Sequence, residues 1–295
     1  MSAGQRLPGT PDPMHLWNGA DGVTIAGDCW GDANGPLVLL QHGRGQTRHA
    51  WKSAGERLGA AGFYAVALDA RGHGDSAWAP DGDYGQDALV KDLVQVVVAL
   101  GSRRAVLVGA SMGGGTGLVA AGEGHVDATA LVMVDTAPRL ELEGAGKIQD
   151  FMHQSPDGFD SLDDVADAIA SYQPHRERPK NIAGLAKNVR LGANGKYHWH
   201  WDPRLRPTGQ DLAKRRDRME DCAQKLRIPT LLVRGALSDM LSEEGAQEFR
   251  RLCPHAEYVN VTAAGHMVAG DRNDIFANAV IEFLMRVVPA QGALQ

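Results

Sequence analysis

Residues 105–115 read Ala105-Val106-Leu107-Val108-Gly109-Ala110-Ser111-Met112-Gly113-Gly114-Gly115. Four consecutive apolar residues suit a strand buried on both faces of a sheet. A Gly-x-Ser-x-Gly turn follows at once, and a helical segment follows the turn. Strand, tight turn and helix are the setting in which a serine is raised on a strained backbone as a nucleophile. Neighbours of such a serine must be small, and Gly109 and Gly113 are. The N–H of Met112 then points toward a bound carbonyl at a helix N-terminus, where the dipole favours developing negative charge. Ser111 is the candidate nucleophile; the bland alternative is a plain glycine-rich strand-to-helix connection.

Outward from this stretch, short apolar runs alternate with helical patterns. The runs are Leu37–Leu40, Tyr64–Leu68, Ala130–Val134, Thr230–Val233 and Ala256–Val261. Helices are expected over Arg48–Ala61, Gln86–Leu100, Met112–Gly122, Glu243–Leu252 and Asp274–Val288. This alternation predicts an α/β fold with a largely parallel sheet. It breaks between Thr136 and Leu226, where no buried strand is expected. Ser161 and Asp164 form a capping box ahead of Leu162, Val165, Ala166 and Ile169. Further amphipathic stripes fall on Ile182–Val189 and Leu212–Leu226. The expected division is a core of residues 14–136 and 227–290, with a helical cap at 137–226.

Composition narrows the function. The chain has 295 residues, is 43% apolar, and carries a formal net charge of −6, which gives no general pull toward nucleic acid. No apolar run is long enough to span a bilayer. The first residues lack a signal-peptide core. Cys29, Cys222 and Cys253 are scattered and odd in number, as in a reducing compartment, so a cytoplasmic location is expected. The expected partner is a small-molecule substrate, with a homo-oligomer left open.

A serine nucleophile needs a base, and the base needs a carboxylate. Ala264-Gly265-His266-Met267, after the last apolar run, supplies the base as His266. Asp239 follows Thr230–Val233 in the loop Gly235-Ala236-Leu237-Ser238-Asp239 and is the expected acid. Asp135, directly after Ala130–Val134, is the rival, read as a loop brace. In Gln41-His42-Gly43-Arg44-Gly45 the N–H of Arg44 is the expected second oxyanion donor beside that of Met112. His42 and Gly43 are placed at the substrate, although His42, like His73, also suits a role in bracing loops.

Several ordered motifs together resemble the α/β-hydrolase superfamily over nearly the whole chain. His42-Gly43 is similar to its oxyanion loop, and Asp69-Ala70-Arg71-Gly72-His73-Gly74-Asp75-Ser76 to its D-x-R-G-H-G-x-S turn. Gly109–Gly113 resembles its nucleophile elbow, and Asp239 and His266 its acid and base. The resemblance implies an eight-stranded, mostly parallel sheet with helices on both faces, a lid, and a mechanism needing no cofactor or metal. Within the superfamily, Ser111-Met112-Gly113-Gly114-Gly115 looks like esterases, perhydrolases and carbon–carbon bond hydrolases. Ser111 counts against epoxide hydrolases and haloalkane dehalogenases, which use aspartate there. Ester hydrolysis is the expected activity; a non-hydrolysing ligand receptor on the same fold is the alternative from a different class.

The cap holds the unusual stretch Tyr197-His198-Trp199-His200-Trp201-Asp202. Trp199 and Trp201, with Met267, are expected to line the substrate pocket; fastening the cap to the core is the competing role for the rings. Phe151–Ser171 carries five aspartates and no Lys or Arg, whereas Arg176–Arg218 is basic. Such runs mostly pair locally or face solvent. An anion-binding group in the pocket, if there is one, is sought in Arg44 or Arg204.

Overall fold

In the computed structural model, ten strands run along the described chain: β1 (His15–Asn18), β2 (Thr24–Trp30), β3 (Leu37–Gln41), β4 (Tyr64–Leu68), β5 (Ala105–Ala110), β6 (Ala128–Val134), β7 (Val189–Leu191), β8 (Tyr197–Trp199), β9 (Thr230–Gly235) and β10 (Glu257–Val261). The structure describes residues 3–172, 178, 181–205, 209–262, 264–266, 268 and 273–288. Eight strands form one sheet in the spatial order β1-β2-β4-β3-β5-β6-β9-β10. The six strands from β4 to β10 in that order are parallel, and β1 and β2 add an antiparallel edge. That edge has no apolar run to announce it: three of the four residues of β1 are exposed.

The continuous apolar runs lie in the sheet interior because both faces are covered. Along β3, Leu37 and Leu39 join one core cluster while Val38 and Leu40 join the other. The first cluster lies under α2 (Gln86–Ala99), α3 (Met112–Gly122), α6 (Gly209–Lys225) and α7 (Glu243–Leu252). The second lies under α1 (Lys52–Ala60) and α8 (Asn273–Val287). Five glycines in α3 are intrinsically unfavourable in a helix, at about 1 kcal/mol each against alanine. The four at 113, 114, 115 and 117 are buried, and their small size seats the helix against the strand ends.

Between β6 and β9 the chain leaves the sheet. It forms α4 (Leu142–His153), α5 (Leu162–Tyr172), the 3-10 turns at Ile182–Asn188, the two-stranded β7–β8 pair, and α6. The capping box at α5 is present: Asp164 N–H donates to Ser161 Oγ, and Ser161 N–H to Asp164 Oδ2. The helix expected over Ile182–Val189 is instead a short 3-10 segment running into β7, and the insertion does contain a small sheet. A separate apolar cluster with Met152, Phe159, Val165, Trp199 and Trp201 holds this segment together.

Candidate active site

The elbow turns sharply because side chains are missing where backbone must meet backbone. A Cβ on Gly109 would lie 2.3 Å from the carbonyl oxygen of Gly113, and one on Gly113 would lie 2.4 Å from that of Gln41. Ser111 sits between them at φ 48°, a left-handed conformation that costs a non-glycine residue about 1–3 kcal/mol. Its N–H donates to Val134 O (3.0 Å), which ties the turn to the end of β6. The residue after Val134 is Asp135, also at φ 48°. Two strained residues therefore stand side by side at the carboxyl ends of adjacent strands.

Asp135 is fully buried and its carboxylate is saturated. Oδ1 accepts from Gly235 N–H (3.0 Å), and Oδ2 accepts from the Ser238 hydroxyl and from His266 Nδ1 (2.6 Å). With Nδ1–H held by a carboxylate, the imidazole keeps Nε2 as its basic nitrogen. The loops after β9 and β10 are zipped together to bring His266 here: Ala236 N–H donates to Val261 O and Leu237 N–H to Ala264 O. Gly235 leaves the room, since a Cβ there would lie 2.2 Å from Gly265 O.

Asp239, the expected acid, is not the carboxylate on His266. Its side chain is half exposed and bonds Lys147 Nζ of α4 (3.2 Å). The sheet order explains the exchange. Both β6 and β9 lie between β5, which carries Ser111, and β10, which precedes His266, so either strand end can offer a carboxylate. Asp135 leaves its strand directly, whereas Asp239 lies four residues past the end of β9, in a loop packed on Gly144.

In the candidate oxyanion loop three N–H groups are engaged. Gly43 N–H donates to Gln46 Oε1 (3.0 Å), Gly45 N–H to His73 Nε2 (3.2 Å) and Gln46 N–H to Gly43 O (3.1 Å). Among the described residues, the N–H of Arg44 meets no acceptor. Gly43 lies against Ser111: a Cβ built on it would be 3.3 Å from the serine Cβ. Met112 is the first residue of α3, where a backbone N–H has no intrahelical partner.

His42 braces this loop and does not line the cavity at Ser111. Its Nδ1–H donates to Gly43 O (2.7 Å) and its Nε2 accepts from Ala70 N–H (2.9 Å). His73 and His200 continue the row edge-on and tilted, with ring centroids 5.1 and 6.0 Å apart, and His200 Nδ1 accepts from Gly74 N–H (2.8 Å). Burial pushes all three imidazoles below their ordinary pKa, His73 and His200 well below, so each stays neutral and able to accept.

Beneath the row lies a network built on the Asp69–Ser76 turn. Buried Arg48 bonds Asp28 (2.9 Å), Asp69 (2.6 Å) and Asp75 (2.9 Å), and Arg190 of β7 bonds Asp75 (2.9 Å). Burial alone would lower the Arg48 pKa; the three carboxylates outweigh it and hold it raised. Arg71 forks onto Asp92 through Nε (2.6 Å) and Nη2 (2.8 Å).

A cavity of about 600 Å³ opens on Ser111 and Met112, walled by Arg44, Gln86, Ile148, Arg215 and Met240. Trp199 and Trp201 do not line it. Their rings stack on each other (4.8 Å) and pack with Phe151 inside the insertion, so burial of apolar area fastens that segment together. Met267 lies outside the described residues. Arg204 stands at the edge, but its guanidinium is spent on Asp202 (2.6 Å) and Ala79 O (2.7 Å). The basic run does pair locally, Arg178 with Asp163 and Asp167, and Lys196 with Asp160. Arg215 and Gln86, part of the wall, carry no sequence signal beyond their type. Among the described residues no cluster of His, Cys, Asp or Glu could hold a metal, and no helix is long and apolar enough to cross a membrane.

Known proteins agree with this architecture. The profile of the alpha/beta hydrolase fold family matches residues 36–272. Esterase Rv0045c of Mycobacterium tuberculosis is 30% identical over 267 residues, covering 88% of this chain and 84% of its own. The sn-1-specific diacylglycerol lipase ABHD11 of Mus musculus is 27% identical over 267 residues, covering 86% and 82%. The crystal structure of E-2-(acetamidomethylene)succinate hydrolase superposes with a TM-score of 0.77 at 22% identity, covering 92% of this chain and 98% of that one.

Proposed function

The chain belongs to the alpha/beta hydrolase fold family and is an ester hydrolase, and from that premise we propose that it cleaves carboxylic esters with Ser111, His266 and Asp135 as its triad. One observation carries the assignment. The bond from His266 Nδ1 to buried Asp135, 2.6 Å long, stands at the strand end to which the Ser111 turn is tied. Nε2 of His266 accepts the Ser111 proton as Oγ attacks the acyl carbon. The N–H groups of Met112 and Arg44 receive the oxyanion, each donor contributing roughly 3–4 kcal/mol at such a position. His266 then protonates the departing alkoxide, which leaves as the alcohol. Water, deprotonated by the same nitrogen, attacks the acyl-enzyme and releases the acid. Residues 137–226 act in this scheme as a lid over the core formed by 14–136 and 227–290, tied down by Arg190 on Asp75.

The test is the burst of nitrophenol on mixing with 4-nitrophenyl butyrate. The native chain is expected to give a burst followed by steady turnover. Ser111→Ala is expected to lose the burst and at least about 10³-fold in kcat. Turnover by Ser111→Ala within about tenfold of native would remove Ser111 from the nucleophile's role.

A further inference from the structure

Among the described residues, two cations in the cavity wall have no carboxylate partner. Arg44 makes one long bond, Nη1 to Leu205 O (3.5 Å), and Arg215 of α6 donates Nε to Gln86 Oε1 (3.1 Å). Among the described residues no carboxylate lies within ion-pair distance of either. Carboxylates are at hand, yet they are engaged elsewhere: Asp87 holds Arg218, and Asp83 Oδ1 accepts from Gly85 N–H. Arg215 is also pressed close to the elbow helix. A Cβ on Gly115 would lie 2.4 Å from its Nη2, so the glycine makes room for the guanidinium beside the first turn of α3. The link runs on through Gln86 Nε2 to Thr116 Oγ1 (3.3 Å) and from Thr116 to Met112 O (3.0 Å). Burial and the nearby charge of Arg44 push the Arg215 pKa down to about 10, and burial lowers that of Arg44. Two half-buried like charges without a carboxylate partner among the described residues are costly, and a guanidinium fork fits a carboxylate in two-point contact.

We propose that Arg44 and Arg215 form a carboxylate-binding subsite, so that the substrate is an ester carrying a free carboxylate within reach of its scissile bond. This rests on the hydrolase reading of the same cavity. Of the other cavity-lining cations, Arg218 pairs with Glu123 and Asp87, Arg204 pairs with Asp202, and Lys214 is exposed, which leaves this half-buried pair as the place where an acidic group gains most.

The experiment compares a matched pair, mono-4-nitrophenyl glutarate and its neutral methyl ester. The native chain is expected to favour the anion in kcat/KM by about 10- to 100-fold, the range of a charge-assisted hydrogen bond. Arg215→Gln is expected to bring the ratio near unity, and Arg215→Lys to restore part of it. A native ratio at or below one, or a ratio that neither Arg215→Gln nor Arg44→Gln changes, overturns the subsite. Calorimetric titration of Ser111→Ala with glutarate separates the two readings, because it needs no chemistry. If neither ester is cleaved but glutarate binds and Arg215→Gln abolishes that binding, the hydrolase reading fails and the subsite stands. Absence of glutarate binding overturns the subsite whatever the esters do.

Discussion

Arg48 and Arg44 are four residues apart and face opposite circumstances. Arg48 is fully buried among Asp28, Asp69 and Asp75, and Arg190 joins the same cluster from β7. Arg44, with Arg215 across from it, stands in the cavity wall with no carboxylate partner among the described residues. The same contrast holds for backbone. Around the Asp69–Ser76 turn, the N–H groups of Gly45, Ala70 and Gly74 each meet an imidazole nitrogen. Beside the elbow, the N–H of Arg44 meets no acceptor among the described residues. A region whose charges are paired fixes geometry, and a region whose cations face a cavity is left to meet a ligand.

The sharpest way to break this contrast is to exchange an arginine on each side. Arg48→Met removes the buried cation that Asp28, Asp69 and Asp75 share and is expected to cost about 3–5 kcal/mol of folding stability in urea denaturation. Arg215→Gln removes a charge that no described carboxylate pairs with, so the same measurement is expected to find no loss. Equal losses would mean that Arg215 is structural after all.

A smaller effect follows from pH. The folded-state pKa values of His42, His73 and His200 are lowered below the ordinary 6.5. Below 6.5 the unfolded chain therefore takes up protons that the folded chain refuses. Stability from these groups is fully present above that value and falls as pH drops beneath it, by up to about 1.4 kcal/mol per pH unit for each imidazole. Urea midpoints measured from pH 7.5 to 5 check this. His73→Asn is expected to flatten the slope; a midpoint that rises toward pH 5 would contradict the neutral row.

The parallel strands were legible in the sequence because burial on both faces writes itself as unbroken apolar runs such as Leu37–Leu40 and Ala105–Val108. The antiparallel edge was not, since β1 is mostly exposed and carries no such run. The proposed nucleophile and base, Ser111 and His266, are read from local context: a strand, a turn and small neighbours for one, the loop after the last strand for the other. The acid was harder. Chain order points to the loop after β9, but spatial order puts β6 equally between β5 and β10, and periodicity cannot report which carboxylate turns inward. Trp199 and Trp201 misled for a related reason, because an aromatic pair buries similar area in a pocket wall or in the core of a lid. Arg215 lies in a run of basic residues on α6, and only packing against Gly115 sets it apart from its neighbours.

The contrast between Asp135 and Asp239 gives the most direct measurement of all. Labelling of Ser111 by a fluorophosphonate can be timed and located by peptide mass spectrometry in native, Asp135→Asn and Asp239→Asn chains. An asparagine at 135 can face Gly235 N–H with its oxygen only by turning its amide N–H groups toward His266, which spoils the imidazole tautomer. The account predicts labelling at Ser111 slowed about 10³- to 10⁴-fold in Asp135→Asn and nearly native in Asp239→Asn. The opposite ranking, or an adduct on a residue other than Ser111, would contradict it.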